Sequence, residues 1–153
     1  MKSQGFTGIG SWSTGSLKLE DLIPAALDCL KTLDPVTHKA KQAEWNTVDD
    51  VDAWDEADCF YGEISDAIDG KLPPYLYWGS HEGDGADVGV WISHDSIADD
   101  RRSGELPSGD QLPDAVPGVG SLFLVVSDHG NMELYSAAQN DGVAVWHSVW
   151  SCV

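Results

Sequence analysis

Between Gly70 and Tyr75 the apolar pattern of the chain changes period, and that change limits the fold more than any other feature. Upstream, apolar residues recur every three to four positions, the spacing of a helix with one buried face. Downstream they alternate, as in half-buried strands. The pattern predicts an α+β fold in which two amphipathic helices pack on an antiparallel sheet of about four to five strands. With 153 residues and a 42% hydrophobic composition, a single domain over residues 1–153 with a real core is the expectation.

The first helix is expected over residues 19–33, where Leu19, Leu22, Ile23, Ala26, Leu27, Leu30 and Leu33 share one face. Pro24 suggests that its regular part starts nearby, because only a first turn spares the missing N–H. Pro35 marks its stop, and residues 36–46, with Lys39 and Lys41, read as a surface linker. Residues 5–12, GFTGIGSW, read as a short first strand.

The second helix is expected over residues 51–69, within the stretch NTVDDVDAWDEADCFYGEISDAIDG. At about 100° per residue, Trp54, Ala57, Phe60, Tyr61, Ile64, Ala67 and Ile68 cluster on one side. Asp52, Asp55, Glu56, Asp58, Glu63, Asp66 and Asp69 occupy the other. Asn46 or Thr47 caps the start, early acids suit the helix dipole, and Gly70 with Pro73 and Pro74 ends the helix. Gly62, costing about 1 kcal/mol relative to Ala in mid-helix, suggests close packing.

Beyond Tyr75, YLYWGS and DVGVWIS read as strands joined by HEGDGA, placing strands within residues 75–93. SLFLVVS, NMELYSA and VAVWHSVW, separated by the turns DHGN and AQNDG, place the others within residues 121–150. Residues 94–120 read as a long loop containing Pro107, Pro113, Pro117 and a short helical turn near Ser96–Asp100. Alternation puts Trp146 and Trp150 on one strand face. With Trp78 and Trp91, they either fill the core or form an exposed contact platform.

Charge is the main functional signal. Twenty-six acids against eight bases give a formal net charge of −18. Such a charge repels nucleic acid and anionic membranes and attracts basic surfaces. The seven acids of the second helix would span about 26 Å, or roughly one charge per 4 Å, near the 3.4 Å spacing of one DNA strand. From Leu72 onward only Arg101 and Arg102 are basic, so the excess extends beyond the helix. A solvated helix face is the alternative, although such faces normally intersperse opposite charges. Three cysteines with no paired spacing suggest free thiols in a reducing cytosol. The N-terminus lacks the apolar core of a signal peptide, and no apolar run approaches a membrane span.

HEGDGAD offers a second reading, a small-ligand or cation-binding module in which His81, Asp84 and Asp87 supply a hard cation with ligands. The aromatic sheet face would belong to the same module. Its spacing is not that of an EF-hand, and Asp-Gly is also a common hairpin turn. His129 beside Asp128 has no nucleophile paired with it by a recognised motif, so no enzyme is expected and no cofactor is implied.

Three segments, STGSLKLEDLIPAALDCL, HEGDGADVGVW and SDHGNMELY, resemble a group of small accessory proteins carried by bacteriophages and other mobile elements. The resemblance implies a small acidic protein in the cytoplasm of an infected bacterial host. Its profile is similar to that of anti-CRISPR proteins and DNA-mimicking antirestriction proteins, some of which occupy nucleic-acid grooves. The expected partner is then the basic nucleic-acid-binding surface of a host CRISPR or restriction complex, with no direct contact to nucleic acid or membrane.

Overall fold

A computed structural model describes residues 5–152 and gives an α+β chain with two compact units. One unit is Gly8–Ile92; the other comprises residues 5–7 and 93–152. The mixture of helices and mostly antiparallel strands is the expected class. In place of one sheet of four to five strands, the described residues form two sheets, of three and four strands, and four α-helices.

In the first unit, β1 (Gly10–Ser13) precedes α1 (Leu19–Leu33), which has the expected bounds. Its apolar face is buried, with Ile23, Ala26 and Leu30 at zero exposure. The helix runs through Pro24 rather than starting beside it. Glu20 and Asp21 sit in its first turn, where negative charge suits the dipole.

Residues 36–46 are not a linker. Pro35–Trp45 form α2, started by Asp34, whose carboxylate accepts from Thr37 N at 3.1 Å and from Thr37 Oγ1 at 2.7 Å. These hydrogen bonds, the side-chain one first, hold the Asp34 carboxyl below its ordinary range. Pro35 fits the first turn of α2, so one proline closes one helix and opens the next. No residue of α2 is fully buried, which explains why no apolar period announces it.

The expected helix over residues 51–69 is also divided. Val51–Ala53 form a 3-10 turn, Trp54 is extended (φ −90°, ψ 106°), and α3 runs Ala57–Lys71. Trp54 leaves the helical path but keeps its contact with the core, its ring 5.0 Å from that of Phe60. Phe60 also stacks with Trp45 at 6.5 Å, drawing the end of α2 and the start of α3 together. Ala57, Phe60, Ile64 and Ile68 are buried against α1 and the sheet. Gly62 does not mark close packing, because a Cβ there would meet nothing within 4 Å.

The three-stranded sheet has the order β1-β3-β2, with β2 at Leu76–His81 and β3 at Asp84–Ile92. Trp78, Val88, Val90 and Ile92 are buried. At Gly89 a Cβ would stand 2.0 Å from the Gly10 carbonyl oxygen, so only glycine permits β1 to approach β3 this closely.

In the second unit, the first ten residues of the expected loop 94–120 form α4 (His94–Ser103), a longer helix than the single turn anticipated. Gly104 ends it in the left-handed region (φ 86°), and Leu106, just beyond, is buried. The sheet order is β4 (Ser108–Gly109), β5 (Leu122–Val126), β6 (Met132–Asn140) and β7 (Val143–Cys152). Among the described residues, β4–β5 is the parallel strand pair of this sheet, and Phe6 adds an isolated parallel bridge to Trp150. Asp141 and Gly142 both have positive φ in the β6–β7 turn, as an Asp-Gly hairpin requires.

A register shift in β7 overturns the expected pairing of tryptophans on one face. Trp150 lies opposite Leu134, whereas Trp146 lies opposite Ala137, three positions along β6 and therefore on the other face. Trp150 is fully buried with Leu124 and Leu134. No helix among the described residues is long and apolar enough to cross a membrane.

Candidate functional site

The seven acids singled out from the sequence do not lie on one helix. Asp52 is on the 3-10 turn, Asp55 and Glu56 are in the turn before α3, and Asp58, Glu63, Asp66 and Asp69 are on α3. On α3 the four helical carboxylates fall within about 140° of arc and span about 17 Å of axis. All seven residues are exposed. The apolar side of α3 fixes this orientation, because Phe60, Ile64 and Ile68 face the core.

Two of the seven are engaged within the fold. Glu63 forms an ion pair with Lys41 of α2. Lys41 also lies 3.7 Å from Glu44 and 5.3 Å from the Phe60 ring centroid, so this lysine joins the two helices. Asp69 accepts the backbone N–H of Trp78 at 2.8 Å. Asp52, Asp55, Glu56, Asp58 and Asp66 make no side-chain hydrogen bond or ion pair among the described residues. Five carboxylates are thus left to solvent or a partner.

A cavity of about 420 Å³ adjoins this segment, lined by Glu44, Thr47, Val48, Asp49, Asp50, Ala53 and Trp54. Its three carboxylates and its indole were not part of the sequence-derived row. Asp49 and Asp50 were visible in the acidic run, but the division between α2 and α3 that makes the concavity was not. Exposed Cys59 sits among the acids, whereas Cys29 is buried in α1, where burial pushes its thiol up to about 12.

The HEGDGAD residues behave differently. His81 Nδ1 accepts from Gly83 N at 2.9 Å, and Asp84 Oδ1 accepts from Ala86 N at 3.1 Å. The His81 ring meets Trp91 edge-on at 4.7 Å. These contacts shape the β2–β3 turn. Among the described residues, no group of three or more His, Cys, Asp or Glu side chains is arranged to hold a metal ion. Asp87 Oδ1 is buried without a hydrogen-bond partner.

Of the four sheet tryptophans, Trp78 and Trp150 belong to the cores of their units, and Trp91 and Trp146 are half-buried. In the unit containing residues 93–152, Glu133 accepts from Ser148 Oγ at 3.0 Å. Burial first, then hydrogen bonding to Glu133, pushes the Tyr135 hydroxyl up to about 12. His129 is exposed in the β5–β6 turn, where Gly130 supplies the positive φ. Comparison with protein-family models, with curated proteins and with solved structures finds no match to the chain.

Proposed function

We propose that this protein is a non-enzymatic inhibitor that binds the basic nucleic-acid-binding surface of a bacterial CRISPR or restriction complex. Carboxylates of the 52–69 segment engage the Lys and Arg side chains that otherwise hold phosphates, and nucleic acid is kept out. The setting is the cytoplasm of a phage-infected host. The observation that carries this reading is the exposure of all seven acids, five of them with no side-chain partner among the described residues. An ordinary helix face would neutralise more of its charge internally.

Attraction between opposite surfaces accelerates encounter and weakens as salt screens it. Carboxylates carried on an ordered backbone also lose less freedom on binding than a disordered acidic tail. The test is capture from bacterial lysate on the immobilised protein at low and high salt. Recovery of a CRISPR or restriction complex that is released by salt supports the proposal. Absence of such a complex from lysates that contain one, at low salt, contradicts it.

A further inference from the structure

We infer that the groove between the 105–117 segment and the β5–β7 sheet is a docking site for a peptide segment carrying an arginine among apolar residues. It lies wholly within the unit containing residues 93–152 and does not depend on the acidic row. The groove has a volume of about 380 Å³ and is formed chiefly by Pro107, Pro113, Pro117, Leu122, Phe123 and Trp146. This volume falls within the roughly 300–1,000 Å³ typical of ligand sites.

Two features restrict the walls. Each proline has a restricted φ. Trp146 donates its indole N–H to the Pro113 carbonyl at 3.2 Å, tying the loop to the sheet. That bond uses the only donor of the indole. The ring therefore offers a ligand its π surface, with Phe123 tilted beside it at 6.1 Å. A site already in its bound shape loses little conformational freedom on docking.

Charge decides among occupants. Glu105 lines the groove, is exposed, and makes no side-chain hydrogen bond or ion pair among the described residues. From Ser93 to Cys152 nine acids stand against two bases, Arg101 and Arg102, which bond Ser108 and Asp99 respectively, so the unit is strongly anionic and neither arginine pairs with Glu105. An anionic ligand is repelled, and a neutral apolar ligand makes no use of Glu105. A guanidinium matches both features because it pairs with carboxylate and stacks on aromatic faces while its stem covers apolar surface. Apolar neighbours of the arginine fill the remaining space along the prolines.

Blocked Leu-Arg-Leu peptide, its citrulline counterpart and blocked Leu-Glu-Leu serve as probes. The indole N–H resonance of Trp146, assigned with a Trp146→Phe variant, is followed by ¹⁵N NMR. The arginine peptide is expected to move that resonance in the millimolar range, with the citrulline peptide and the Glu105→Gln protein each about tenfold weaker. A charge reversal of the acidic segment is expected to leave this binding unchanged. The inference is overturned if the arginine peptide causes no shift, if all three peptides bind alike, or if Glu105→Gln has no effect.

Discussion

Asp69, near the end of α3, accepts the backbone N–H of Trp78 in β2 at 2.8 Å, so one acid of the apparent interaction row secures the helix to the sheet. A carboxylate accepting a backbone N–H in this way is stronger than a neutral pair. Asp69→Ala is expected to lower stability by about 1–2 kcal/mol in denaturant titration. Asp66→Ala, which removes an unpartnered exposed carboxylate, is expected to change stability by less than about 0.5 kcal/mol. Equal losses for the two variants would contradict the assignment of separate roles.

Two glycines should respond in opposite directions to the same substitution. Gly62 lies inside α3 with open space around it, so Gly62→Ala should stabilise the protein by roughly 0.5–1 kcal/mol. At Gly89 the added methyl would collide with the Gly10 carbonyl oxygen, and Gly89→Ala should destabilise by at least about 2 kcal/mol. Thermal and urea unfolding of both variants, measured against the parent protein, checks the signs.

Cys29 and Cys59 should separate cleanly in a thiol-reactivity assay. Cys59 is exposed and should react faster than Cys29, which, at zero exposure, should react only as the protein opens. Cys152 is half-buried and is replaced by serine in the background; there, Cys59→Ser should remove the faster phase. Burial raises the Cys29 thiol from 9.0 to about 12, so folding favours its neutral form. The resulting stabilisation is complete below pH about 9 and is lost as pH rises toward about 12. Replacing Cys29 with alanine should flatten that part of the pH–stability curve, even though the cavity lowers stability overall.

The parts of the fold legible in the sequence are those with a strong apolar period. Leu22, Ile23, Ala26, Leu27 and Leu30 fix α1, and the alternation of Val88, Val90 and Ile92 fixes one face of β3. α2 leaves no apolar period in the sequence because it buries no face, and its capping signal, Asp34 with Thr37, sits across a proline that also suits a helix stop. Trp54 has the right wheel position for α3 but reaches Phe60 from an extended backbone, which moved the predicted start upstream. The shift that separates Trp146 from Trp150 depends on pairing with β6, a nonlocal fact that strand alternation cannot contain. At the candidate site, the exposure of the acids followed from helix periodicity. The engagement of Glu63 by Lys41 and of Asp69 by Trp78 did not, because each joins elements distant in the chain.

That division of labour selects the residues for the central test. Glu63 and Asp69 are spared because each makes a contact within the fold, and Asp55, Glu56, Asp58 and Asp66 are replaced together by lysine. The measurement is inhibition of nucleic-acid binding by the CRISPR or restriction complex recovered from the host, using the parent and the reversed protein after matched circular dichroism and unfolding curves. The parent is expected to displace nucleic acid at low salt and less effectively at high salt, and the reversed protein to lose inhibition by at least about a hundredfold, or roughly 2.7 kcal/mol. Inhibition of equal strength by the folded, reversed protein would contradict the account.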